Sequence, residues 1–211
     1  MKHTMIIAAL AATMTASAQL HISTPTTSLL LNAEPGERFE YMYYGAALAD
    51  TDIPAVAEAE KHVDAYPVYG MDTFNAYTLA ATHADGSMAT DMRVDKVSES
   101  TDKDGSKVTR VSLKDTLYPF YIDVCYRTWP ACDVIETWTE IRHNENKAVT
   151  LTEFPSAYLP VRRGNVWLSH IDGAWGNEGH LTHEPLTPGI KTIRNIDGAR
   201  NSQNAHSEIM L

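Results

Sequence analysis

Basic residues are scarce in this chain: 17 Lys and Arg stand against 27 Asp and Glu, giving a formal charge of -10 and an isoelectric point near 5.3. That balance lacks the positive footprint a phosphate backbone requires, so nucleic acid is excluded as a partner. No Gly-rich phosphate loop, G-x-S-x-G elbow or nucleotide fingerprint is present, and no repeat, coiled coil or low-complexity tract is visible. Beyond the N-terminus no stretch is apolar enough to cross a membrane. Length is short in one respect. A (β/α)8 barrel typically needs about 250 residues, with a floor near 200, so 211 residues cannot hold a complete barrel with anything attached. What is present, 44% hydrophobic and 21% charged residues, suffices for a globular core.

Lys2 and His3 precede an uncharged run from Thr4 to Thr15, followed by Ala16-Ser17-Ala18. This is the pattern of a signal peptide: a short positive region, an apolar stretch too short to span a bilayer, and an A-x-A cleavage site. Residues 1–18 are expected to be removed, leaving a mature chain from Gln19 that is periplasmic or secreted. In such an oxidising compartment the two cysteines gain a use. Cys125 falls in a predicted strand and Cys132 follows the Trp129-Pro130-Ala131 turn, so they flank a hairpin. They are either a disulfide or two unpaired small core residues. No local motif supplies a base that would make either a nucleophile.

The mature chain reads as strands. Phe120, Ile122, Val124 and Tyr126 alternate with Tyr121, Asp123, Cys125 and Arg127, the period of a strand with one buried face. Lys107–Leu113, Val134–Ile141, Val149–Leu159 and Asn165–Ile171 continue the pattern. Asn144-Glu145-Asn146-Lys147 and Arg162-Arg163-Gly164 are turns, and Asp85-Gly86 signals a hairpin joining Tyr77–His83 to Met88–Val94. Only Ile53–Val63 looks helical, with Pro54 in its first turn. Many antiparallel strands with little helix imply an all-β sandwich. The last residues, Glu208-Ile209-Met210-Leu211, read as a strand cut in progress, the expectation for a C-terminally incomplete fragment.

Chemistry is sparse. Retaining glycosidases need two carboxyls about 5–5.5 Å apart; Glu136 and Glu140 fall instead on one solvated strand face. His180 and His183 have a spacing that would suit a metal on a helix, but Gly179 and Pro185 argue for a loop and no third ligand is near, so neither metal nor cofactor is expected. The constellation that stands out is aromatic. His170-Ile171-Asp172-Gly173-Ala174-Trp175-Gly176-Asn177-Glu178 sets an indole among glycines directly after a strand. Trp175 is placed either to stack on the apolar face of a sugar ring or to fold back over the core.

Several motifs occur in series: Tyr66-Pro67-Val68-Tyr69-Gly70; Thr82-His83-Ala84-Asp85-Gly86-Ser87 with Thr90-Asp91-Met92-Arg93; Leu113-Lys114-Asp115 with Leu117-Tyr118; Asp133-Val134-Ile135-Glu136; and His170 to Gly176. In order and spacing they resemble the N-terminal domain of glycoside hydrolase family 36, the α-galactosidases, from about Phe39 to Leu211. The resemblance implies a galactose-mutarotase-like antiparallel β-supersandwich, ending before the (β/α)8 barrel that in such enzymes carries an Asp nucleophile and an Asp acid/base. It implies a retaining α-galactosidase acting on α-galactoside oligosaccharides, with Trp175 as a substrate contact and no catalytic residue in this chain. The partners it implies are the missing barrel and other copies in an oligomer. A substrate-contacting Asp of the family cannot be carried onto Asp50, Asp52 or Asp64, because Ala46–Ala65 is shortened. The family's Ser-His-Gln-x-Asn-Pro segment reads Ser202-Gln203-Asn204-Ala205-His206 here. The alternative reading is a stand-alone carbohydrate-binding sandwich without catalysis; a structural periplasmic or cell-surface module would need no ligand at all.

Overall fold

A computed structural model describes residues 19–59, 62–72, 76–161, 164–195 and 205–211. The signal-peptide reading lies outside these residues, as do Arg162, Arg163 and Ser202-Gln203-Asn204. The chain divides into two compact units, Met1–Pro160 and Val161–Leu211.

In the first unit, β1 (Gln19–Ser23), β2 (Thr27–Asn32), β3 (Glu40–Ala46) and β4 (Val63–Asp64) form an antiparallel sheet in that order. The helix α1 (Ile53–Ala59) and the short strand β5 (Ala80–Thr82) follow the turns of the chain. A second antiparallel sheet is built in order from β6 (Met92–Thr101), β7 (Lys107–Asp115), β8 (Phe120–Thr128) and β9 (Ile135–His143), and β10 (Thr150–Glu153) returns to pair with β5.

The alternation read in β8 is the reason the two sheets face each other. Phe120, Ile122 and Val124 are buried, and they meet Val111 and Leu113 of β7 and Ile22, Leu29 and Leu31 of the first sheet in one core. Each such side chain contributes about 1.5–3 kcal/mol on burial. Strand β2 is buried on both faces. Leu29 and Leu31 enter the sandwich, while Leu30, pointing the other way, packs with Met42 and with Ala57 of α1.

Three local expectations are corrected. The helix is described over Ile53–Ala59, and Val63, read as its end, belongs to β4 instead; the His62 ring bridges helix and sheet, with Nε2 3.0 Å from Ala57 O and Nδ1 3.0 Å from Glu40 Oε2. Asp85-Gly86 does make a turn, with Gly86 at φ +89° and His83 N donating to Ser87 O at 2.8 Å, but the flanking segments do not pair. Instead β5 joins β10 and β6 joins β7. Finally, Val149–Leu159 is strand only over Thr150–Glu153; Pro155 lacks the amide to continue the ladder.

The cysteines are unpaired, Cys125 buried and Cys132 exposed. Cys125 lies opposite Arg110 and Trp138 on the outer face of the second sheet, and burial pushes its thiol up to about 11. One fast-reacting thiol is therefore expected in a native chain titrated with an aromatic disulfide at neutral pH, and a second only after unfolding. Two fast thiols before unfolding would place Cys125 at the surface.

The second unit holds β11 (Trp167–Ala174), β12 (Asn177–Pro185) and β13 (Ala205–Met210), antiparallel in the order β12-β11-β13. Of the Glu208–Leu211 end read as strand, Glu208 to Met210 are in β13 and Leu211 follows it.

Candidate functional site

Trp175 sits at the tip of the β11–β12 hairpin. The register pairs Ala174 with Asn177, leaving Trp175 and Gly176 as a two-residue turn. Gly176 takes φ +72°, while no non-glycine among the described residues has positive φ, so the turn demands glycine after the tryptophan. A register shift between Asp172 and Ala174 inserts Gly173 as a bulge, a device that increases local twist and re-aims side chains. The tip is braced by Gly176 N donating to Glu178 Oε1 at 3.0 Å and by His180 Nε2 at 2.7 Å from Asn177 Oδ1.

Of the two placements open to it, Trp175 takes the outward one, with 82% of its surface exposed. Behind it, Thr182 donates to Asp172 at 3.2 Å, and the buried His170 ring lies 3.6 Å from Asp172 and 3.4 Å from Glu184. Lys191 pairs with Glu184 and holds its carboxyl below the usual range. The tip thus presents a flat apolar ring next to a carboxylate, an amide and an imidazole, the combination that binds the face and the hydroxyls of a sugar.

His180 and His183 are in strand β12 rather than a loop, and residues three apart on a strand face opposite ways. His183 stacks on Trp167 at 4.8 Å and bonds Ser169 at 2.8 Å. Among the described residues no cluster of His, Cys, Asp and Glu is arranged for a metal. No described helix is long and apolar enough to cross a membrane.

Glu136 and Glu140 share the outer face of β9, half exposed. Arg110 binds both Glu140 oxygens at 2.7 and 2.9 Å, and with the Trp138 indole N–H it holds that carboxyl down to about 2. Glu136 pairs with Arg127 at 3.3 Å. A carboxyl ionised at all working pH values by a bidentate guanidinium cannot deliver a proton to a leaving group.

The motifs of the first unit converge, but on one another. Asp115, 2% exposed, accepts from Asp91 N at 2.8 Å, Leu117 N at 2.8 Å and Tyr118 N at 2.7 Å. Tyr118 stacks on His83 at 3.8 Å and donates to Asp85 at 2.9 Å. His83 Nδ1 donates to Glu145 at 2.8 Å, and Nε2 lies 3.0 Å from the Thr90 hydroxyl. Burial alone would raise Glu145, yet the Ala84 N–H and His83 hold its carboxyl below the usual range. Gly70 packs against Ala89 and Thr90. Asp133, from the fourth motif, accepts from Thr24, Thr26 and Thr27 at the β1–β2 turn. Sequence reasoning missed these latches, whose partners Glu145 and the three threonines carry no signal of their own.

The glycosyl hydrolase family 36 N-terminal domain matches residues 37–211. No curated protein matches the chain. Among solved structures it is similar to the α-galactosidase AgaA of Geobacillus stearothermophilus, at TM-score 0.79 and 18% identity over 90% of this chain and 31% of that one. AgaB of the same organism gives 0.79 and 17%, over 95% and 32%. The α-galactosidase of Lactobacillus brevis gives 0.67 and 20%, over 81% and 28%. Variants of AgaA have been crystallised with raffinose and with stachyose. This chain spans about a third of the length of these enzymes. The match runs from Glu37 through both units to Leu211, over antiparallel sheets with no barrel among the described residues, and by it the chain belongs to the family 36 N-terminal domains.

Proposed function

We propose that this chain serves as the accessory N-terminal domain of a retaining α-galactosidase, offering Trp175 as one wall of a galactose site while the bond is broken by residues outside it. The observation that carries this reading is the exposed indole on a hairpin tip whose turn is fixed by Gly176 and Glu178. The enzyme's substrates would be α-galactoside oligosaccharides, the class that AgaA variants hold. Double displacement needs a nucleophile and an acid about 5–5.5 Å apart, and the acids of β9 are engaged by arginines. The barrel of the same enzyme supplies that pair in this proposal, and the sandwich contributes contacts to it and to further copies. The leader read over residues 1–18 assigns the assembly to the periplasm or the exterior.

Two measurements test it. The 211-residue chain alone is expected to show no turnover of an aryl α-galactoside; activity that survives rigorous purification overturns the division of labour. In the barrel-bearing enzyme, Trp175→Ala is expected to raise KM for raffinose roughly two- to tenfold, the value of one aromatic stacking contact, with the melting temperature unmoved. An unchanged KM reduces Trp175 to an ordinary surface residue. Raffinose binding by the lone chain as tight as by the whole enzyme would instead favour a stand-alone carbohydrate-binding sandwich.

A further inference from the structure

The three-stranded sheet of the second unit has two unlike sides. Strand pairing sets Trp167, Ser169 and Ile171 of β11 on the same side as His183 and Leu181 of β12 and Met210 of β13. Leu168 and His170 alternate to the other side, where they are 4% and 6% exposed. On the first side the apolar groups lie open: Trp167, Leu181 and Met210 are 47%, 64% and 56% exposed. An antiparallel sheet commonly covers one face and presents polar groups to water on the other. Here the side left open is the apolar one, and a contiguous apolar surface of this kind marks a contact.

Three observations select what covers it. The polar groups on the open side answer each other, with Ser169 Oγ 2.8 Å from His183 Nδ1 and the His183 ring stacked on Trp167 at 4.8 Å. No polar group in that set is left to receive the hydroxyls of a sugar, and a sheet face, unlike a cleft, encloses no small ligand. Charge argues against self-association, because each copy carries a formal charge of -10 and mating two would set like charges against each other. Finally, this chain spans about a third of the length of the family 36 enzymes it matches, so most of such an enzyme lies outside this fold and is at hand to supply the cover.

We propose that this side of the second unit is a docking surface for the remainder of the same enzyme, with Trp167, Ile171, Leu181 and Met210 packed against apolar side chains there. The inference rests on the reading of the chain as an accessory domain and gives that reading a mechanical basis. One hairpin, β11–β12, bears the docking side on its stem and Trp175 at its tip. Seating the stem fixes where the indole stands relative to the residues that break the bond.

The test is maleimide labelling of Leu181→Cys, followed by mass spectrometry in the 211-residue chain and in the barrel-bearing enzyme. The exposed Cys132 serves as the internal reference. In the chain alone the introduced thiol is expected to react about as fast as Cys132. In the enzyme it should react roughly tenfold or more slowly, at every enzyme concentration, since access limits a covered thiol. Met210→Cys reads the same side from β13 and replaces the first variant where that one fails to fold. Equal rates in chain and enzyme overturn the proposal. So does slow labelling in the lone chain, whether the chain covers this side itself or a second copy does. Shielding in the enzyme that fades on dilution overturns it in favour of a second copy. Neither turnover nor the KM of Trp175→Ala enters these readouts, so the docking surface and the galactose wall can fail separately.

Discussion

Asp115→Ala is expected to lower the unfolding midpoint by roughly 10 °C, and Asp115→Asn by about half as much. The carboxylate satisfies three backbone N–H groups, two through Oδ1 and one through Oδ2. Alanine leaves all three without their acceptor, a loss of roughly 3–5 kcal/mol when hydrogen bonds to a charged group are removed and water replaces part of them. In a domain of this size each kcal/mol moves the midpoint by about 2–4 °C. Asparagine keeps an oxygen for Leu117 and Tyr118 but turns an amide toward the Asp91 N–H, donor against donor. Scanning calorimetry on the three chains reads the ranking directly. A shift below roughly 3 °C for the alanine variant, under the cost of even one bond lost, would mean that the turn holds itself.

Gly70→Ala is expected to cost at least as much, for a different reason. An added Cβ would lie 2.4 Å from Thr90 N and 3.0 Å from Ala89 Cα, backbone atoms that cannot swing aside, and φ at Gly70 is +105°. Strain and overlap together should remove roughly 3–5 kcal/mol. Gly86→Ala is the control: φ is +89° there but nothing lies within 4 Å, so only the conformational penalty of about 1–2 kcal/mol applies. Urea unfolding separates the two. Equal midpoints for both variants would show that the 89–90 backbone yields freely, and the close packing would then carry no energetic weight.

The strands were legible wherever one face is buried and the other is not. β8 alternates in sequence because Val111, Leu113 and the first sheet take one side of it. The reading of the cysteines as unpaired core residues holds for Cys125, buried with Arg110 and Trp138 as its strand neighbours, but not for Cys132, which is exposed, because a residue after a turn has no sheet to cover it. The Asp85-Gly86 turn was visible from local chemistry, but the choice of β10 as partner for β5 is a long-range decision that no dipeptide encodes. Trp175 showed the same limit: the glycines announced a tight turn, while outward exposure depends on where the sheet ends.

The interlocked loops around Asp115, His83 and Gly70 have a consequence for inheritance. The motifs by which this lineage is recognised grip each other, so they certify a scaffold and not a ligand. Evolution can rewrite the hairpin tip of the second unit while the motif residues of the first unit stay in place.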